Sequence, residues 1–206
     1  MIYDPTEKPF TETHKLMIGS IVPRPIAFVS TISKDGNNNV APFSYFNGVC
    51  SNPPTVMFAP ARRGWDGKEK DTLTNIRDNN EFVINMVSES FAEKMVKCST
   101  DFDPNIDEFE ISGLTPESSK KVLPPRVKES KISLECKLDQ IIEIGSGEAG
   151  SGFVVIGTVV LFHIDDDIYE NGHILLDKLE PLGRLAGNWY TRPTDKIKIT
   201  RQVKPK

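Results

Sequence analysis

Two stretches of this 206-residue chain combine residue types that could do chemistry. The first is Arg62-Arg63-Gly-Trp-Asp-Gly-Lys68-Glu-Lys70-Asp71-Thr72, a cationic loop running into the start of a predicted helix. Free backbone N–H groups and the helix dipole favour an anion at such a place, each contact contributing about 0.3–1 kcal/mol. Lysine and arginine add formal charge, and the Thr72 hydroxyl can donate a hydrogen bond, so a phosphate monoester suits this stretch. Taken alone, the residues fit a solvated charged loop with an ordinary N-cap at least as well. The second stretch is Asn39-Val-Ala-Pro-Phe43-Ser44-Tyr45-Phe46-Asn47, which mixes aromatic faces with amides and a hydroxyl. A flat heteroaromatic ring with a polar rim needs that mixture: apolar walls for its faces and hydrogen-bonding groups for its edge. An edge strand turning its aromatics to a core would carry the same residues, and without further information that plainer reading wins.

Other motifs lead nowhere chemical. Gly145-Ser-Gly147-Glu-Ala-Gly150 spells G-x-G-x-x-G, but the dinucleotide fingerprint requires a helix after it. The residues that follow, Phe153-Val-Val-Ile156, are strand-like, so this is a hairpin loop. His163-Ile-Asp-Asp-Asp167 lacks a second ligand cluster, and adjacent aspartates on a strand face opposite ways; His163 is expected only to pack and the aspartates to form a solvated turn. No metal site is expected. There is no P-loop, no G-x-S-x-G elbow and no H-E-x-x-H, so conventional hydrolase chemistry has no support.

The elements that must position these stretches are mostly short strands. Thr13 to Ser20 reads as a short helical turn, and Ile21-Val-Pro-Arg24-Pro25 must be extended. Ile26 to Ser33 is a β-branched strand, Lys34 to Asn39 is turn chemistry, and Val40 to Asn47 is the returning strand. Thr55 to Ala59 makes a third strand, and Asp71 or Thr72 caps a helix through Asn79. Glu81 to Val87 is a strand, and Ser88 caps a helix with Phe91, Met95 and Cys98 at helical spacing. Residues 101 to 128 look irregular, their prolines excluding long elements. Lys131 to Ile144 alternates with Ile132, Leu134, Cys136 and Leu138 apolar, and Phe153 to Ile164 is the next long strand. With helices only as insertions and no βαβ rhythm, the pattern predicts a mainly β fold: an antiparallel Greek-key barrel with a few short inserted helices.

Composition narrows the function class. Hydrophobic residues make up 38% and charged residues 26%, which is ordinary for a folded domain, and one domain over 1–206 is expected. A net charge of −4 gives no footprint for nucleic acid, and it counts against an oligonucleotide-binding barrel that would use the aromatics. The basic C-terminal stretch from Lys196 to Lys206 reads as a short solvated tail. Three cysteines far apart argue against a disulfide framework. No signal pattern opens the chain and its longest apolar run is too short to span a bilayer, so a soluble cytoplasmic protein without a membrane role is expected.

Four motifs, in order, resemble the flavin reductase-like FMN-binding split-barrel family. They are Pro23-Arg-Pro-Ile-Ala-Phe-Val-Ser-Thr31 with Asp35-Gly36, then Asn39 to Asn47, then Lys70-Asp71-Thr72, then Pro181-Leu-Gly-Arg184-Leu-Ala-Gly-Asn-Trp-Tyr190. The resemblance covers a core of about 15 to 190 and is greatest to the branch of flavoredoxin and nitrilotriacetate monooxygenase component B. It implies a split barrel working as a homodimer, with FMN near the subunit interface and NAD(P)H as co-substrate. Carried onto this chain, Phe43, Ser44, Tyr45, Phe46 and Asn47 would line the flavin ring. Lys70, Asp71 and Thr72 would hold its phosphate, with Arg62 and Arg24 as further contacts. Arg184 and Tyr190 would approach the flavin or nicotinamide, from the same or the other subunit. Flavin N5 would carry the hydride chemistry, with no catalytic side chain needed. Electrons would pass to a partner monooxygenase or another acceptor; the alternative is a non-catalytic FMN electron carrier of the flavoredoxin kind. One departure stands out: Ala186 replaces the family's usual glycine, which would be costly if that position needed positive φ.

Overall fold

The computed structural model describes residues 1–202; the last four residues of the basic C-terminal tail lie outside the described residues. The chain runs α1 (Phe10–Ser20), β1 (Ala27–Ile32), β2 (Asn38–Phe43), β3 (Phe46–Ser51), β4 (Pro54–Phe58), α2 (Asp71–Asn79) and β5 (Glu81–Met86). Then come α3 (Ala92–Lys97), α4 (Glu108–Ser112), the ribbon β6 (Pro116–Glu117) and β7 (Arg126–Val127), and the long hairpin β8 (Ile132–Ile144) and β9 (Gly152–Ile164). Short pieces close it: β10 (Tyr169–Glu170), β11 (His173–Ile174), α5 (Leu176–Leu179), β12 (Gly183–Arg184) and β13 (Tyr190–Thr191). Among the described residues no helix is long and apolar enough to cross a membrane.

The main sheet has seven strands in the order β2-β1-β5-β8-β9-β4-β3, and every pairing is antiparallel. Its two outermost strands, β2 and β3, are consecutive in sequence, separated only by Ser44 and Tyr45. Phe43 and Phe46 are three peptide steps apart, a span of at most about 11 Å. The sheet must therefore roll until its edges meet at that corner, which makes it a split barrel rather than an open sheet. The sequence pattern had Val40 to Asn47 as one strand; the chain instead changes sides at Ser44-Tyr45, because period-two alternation records facing but not a change of partner.

The barrel interior is filled by Val29, Phe43, Phe58, Phe82, Ile84 and Phe153 among others. Phe58 anchors it, with ring centroids 5.1 Å from Phe43 and 5.6 Å, edge-on, from Phe82. A second core lies on the opposite face of β1, where Phe28 meets Phe91, Met95, Cys98 and Phe109. β1 is thus buried on both sides, which explains its run of apolar residues where alternation would otherwise be expected. The stretch from 101 to 128 is irregular apart from α4 and the two-stranded ribbon. It is held by buried polar bonds: Val127 N–H donates to Asn85 Oδ1 at 2.9 Å, and Asn85 Nδ2 donates to the Phe28 carbonyl at 3.0 Å.

Two details differ from the sequence reading. α1 begins at Phe10 rather than Thr13; none of its residues is buried, so no apolar stripe marks its first turn. His163 does more than pack, since its Nε2 lies 2.5 Å from Glu135 Oε1. That carboxylate also accepts the Lys120 and Lys121 N–H groups at 2.7 and 2.6 Å, tying the 118–125 segment to β8. The G-x-G-x-x-G stretch is the β8–β9 turn, with φ of 97°, 84° and 94° at Gly145, Gly147 and Gly150, values that glycine alone adopts without strain.

Candidate functional site

The corner where the barrel edges meet is organised by one side chain. Arg24 is 4% exposed, and its guanidinium donates from Nε to Ser44 Oγ at 3.2 Å. One terminal nitrogen donates to the Ile18 and Ile21 carbonyls at 2.7 and 2.6 Å, the other to the Leu185 carbonyl at 3.1 Å. Its backbone pairs with Arg184 in both directions, at 3.0 and 2.8 Å. Burial lowers its pKa from the ordinary value, with Tyr45 opposing and Arg184 reinforcing the shift, yet a guanidinium stays charged. Arg24 therefore ties the end of α1, the Ser44 corner and the late motif together. Four of its five N–H donors are engaged within the chain.

Around this hub lies a groove of about 380 Å³ whose wall includes Met17, Ile21, Ser44, Tyr45, Phe46 and Asn47. Asn47 is exposed, with Oδ1 accepting from the Gly48 N–H at 2.9 Å. The Phe43 ring belongs to the barrel core. Phe46 packs against the same core from its rim. A larger cleft of about 660 Å³ shares Met17 and Tyr45 with the groove and extends past Arg62 and Gly64.

At the far side the loop before α2 gathers its cations. Arg62 pairs with Glu143 at 2.6 Å and lies over the Phe153 ring, 4.8 Å from its centroid. Arg63 pairs with Asp71 at 3.0 Å, and Lys70 with Asp101 at 2.6 Å. The Nε atoms of Arg62 and Arg63 are buried without a hydrogen-bond partner, donors that a bound anion would satisfy. Arg63, Lys70, Asp71, Thr72 and Asp101 line a small cavity of about 40 Å³. Lys70, not Asp71 or Thr72, is the N-cap of α2, and it makes no side-chain cap bond. The Thr72 hydroxyl faces inward instead: the residue is 1% exposed and donates to Asn39 Oδ1 at 2.8 Å. The backbone N–H groups of Asp71 and Thr72 lead the helix and have no intrahelical partner.

Beneath α2 is a buried polar network whose Asn75 and Glu108 motif reading missed. Asn39 Nδ2 donates to Glu108 Oε1 at 2.8 Å, Val40 N–H to Glu108 Oε2 at 3.2 Å, and Asn75 Nδ2 to Thr31 Oγ1 at 3.0 Å. Burial pushes the Glu108 carboxyl up to about 7, against the hydrogen bonds that favour its charged form. Nothing local in the sequence marks Glu108, which reaches β2 from α4, 69 residues later.

The late motif folds as the β12–β13 ribbon beside Arg24. Arg184 stacks over Tyr190 at 4.5 Å and donates to the Trp189 carbonyl at 3.2 Å. Tyr190 packs against the second core. Gly187 carries the positive φ of 57°, while Ala186 is not among the residues with positive φ, so its methyl group costs nothing in backbone strain. The structure thus brings Arg24, Ser44 and Arg184 together at one end and Arg63, Lys70, Asp71 and Thr72 at the other. The Tyr45–Arg62 cleft adjoins the groove between them.

Comparison with known proteins defines the class. Residues 18–183 match the flavin reductase like domain, and the chain belongs to that family of flavin-handling oxidoreductases. It is 44% identical over 187 residues to a protein of Aquifex aeolicus, covering 90% of this chain and 92% of that one. The crystal structure of nitrilotriacetate monooxygenase component B from Bacillus cereus superposes with a TM-score of 0.92 at 36% identity, covering 97% and 98% of the two chains. That of the 2-nitrobenzoate 2-nitroreductase NbaA of Pseudomonas fluorescens gives 0.86 at 33% identity, covering 98% and 96%.

Proposed function

We infer that this chain binds FMN and transfers hydride and electrons from NAD(P)H to flavin, as a flavin reductase able to supply a monooxygenase or another acceptor. The reading rests on one observation: a groove with apolar walls and a polar rim adjoins a cation-lined helix start, within a chain of this family. The unpartnered Nε atoms of Arg62 and Arg63 and the leading N–H groups of α2 fit a phosphate monoester. In this reading Lys70, Arg62, Arg63 and the Asp71 and Thr72 backbone hold the phosphate. Ser44, Asn47 and the backbone from Phe43 to Asn47 meet the ring edge, with Tyr45 and Phe46 as apolar walls. Arg24 acts one step back, holding Ser44. Arg184 and Tyr190 face the nicotinamide side. When bound, FMN supplies the hydride acceptor and the onward electron transfer, and no protein nucleophile is required.

A second copy of the chain completes the site in this reading. Every residue of α1 is exposed or half-exposed, including Phe10, Leu16 and Met17. β3 is an edge strand with Val49 and Cys50 exposed. Exposed apolar side chains and an unpaired edge strand make a surface that a second protomer would cover.

The test is the visible spectrum of protein purified without added flavin, repeated with FMN and then with NADH or NADPH without oxygen. Flavin bands that bleach rapidly support the reductase. Bound flavin that neither nucleotide reduces makes the protein an electron carrier. Failure to bind added FMN overturns the reading.

A further inference from the structure

One cation at the start of α2, Lys70, already holds a carboxylate of the protein's own. Both oxygens of Asp101 are engaged: Lys70 Nζ donates to Oδ1 at 2.6 Å and Trp65 Nε1 to Oδ2 at 3.3 Å. Burial would raise this carboxyl, but the Lys70 bond and charge, with Trp65 and Arg63, outweigh it and hold it below its ordinary value. Asp101 comes from elsewhere in the chain, on the loop between α3 and α4, whereas Arg63 pairs with Asp71 on the adjoining helix. Its loop, Ser99 to Phe102, walls the cavity that Arg63, Lys70 and Thr72 line. The cavity between this loop and the start of α2 is small, about 40 Å³. While Asp101 stays, it occupies the Lys70 ammonium that a phosphate would pair with.

We propose that Asp101 is an internal competitor for the flavin phosphate: FMN binds by displacing it from Lys70 and Trp65, and its return ejects the flavin. This rests on the reading of α2 as the phosphate end. A phosphate monoester carries a charge of about −1.5 to −2 and three acceptor oxygens, against one charge and two oxygens for the carboxylate, so it wins at sufficient concentration. Riboflavin has no phosphate and leaves Asp101 in place. Asp101 thereby makes the flavin exchangeable rather than permanently held. The pair is exposed enough to open at little cost, with side chains at 28% and 31% exposure.

Flavin fluorescence titration of the full chain, with FMN and with riboflavin, tests this in Asp101→Asn and Lys70→Met. Asparagine keeps the size and the acceptor for Trp65 but removes the charge. Asp101→Asn is expected to tighten FMN about five-fold, the effect of removing one partly exposed ionic competitor, and to leave riboflavin unchanged. Lys70→Met is expected to weaken FMN and spare riboflavin. If Lys70→Met weakens FMN while Asp101→Asn weakens it or leaves it unchanged, the phosphate end stands and the competitor is overturned. If Lys70→Met leaves FMN affinity intact, the phosphate assignment fails and the competitor falls with it.

Discussion

The two ends of the candidate site are built on opposite principles. At the barrel corner one buried guanidinium serves four acceptors, three of them backbone carbonyls, two from the end of α1 and one from the late motif. At the α2 end the cations lie in partly exposed pairs with nearby carboxylates. A buried cation with most of its donors used has no better arrangement available, so the corner is preorganised. A partly exposed pair such as Lys70–Asp101 contributes only about 0.2–1 kcal/mol and can exchange one anion for another. The corner is therefore fixed by its own bonds, and the α2 end can trade partners.

The sharpest way to break that comparison is Arg24→Ala. It leaves four acceptors without their donor, and a loss of about 3 kcal/mol is expected, read as a fall in melting temperature; Lys70→Met should cost less than about 1 kcal/mol in the same assay. Equal costs would refute the contrast. A second test concerns Glu108, beneath α2. Its carboxyl sits at about 7 in the folded chain against an ordinary 4.5, so between those values the folded state keeps a proton that the unfolded state has released. Its contribution to stability is therefore present below 4.5 and lost as pH rises towards 7. Glu108→Gln should flatten that part of a pH–stability profile, and an unchanged slope would assign it to other groups. Smallest is Ala186→Gly. Because residue 186 does not have positive φ, glycine brings no relief and should cost about 0.4–1 kcal/mol through the freer unfolded chain. A gain in stability would show that the family's glycine is needed in this loop after all.

Much of this was legible in the residues. The strand alternation of β8, the Asp-Gly turn after β1 and the glycine turn between β8 and β9 follow from local chemistry, and the structure repeats them. The four family motifs identified the class. What local chemistry could not show was the use made of each polar group. The Thr72 hydroxyl, read as a phosphate donor, donates to Asn39, and Arg24, read as a ligand contact, also holds Ser44.

By itself, then, the sequence determined a β-rich chain, its turns, its family and the two stretches that carry the site, because these depend on residue type and short spacing. Tertiary structure alone decided that β2 and β3 meet at Ser44-Tyr45, that Glu108 lies under Asn39, and that Asp101 sits on Lys70. Those contacts join residues far apart in the chain, or depend on how the sheet rolls. Burial and the competition among donors and acceptors exist only once it has rolled.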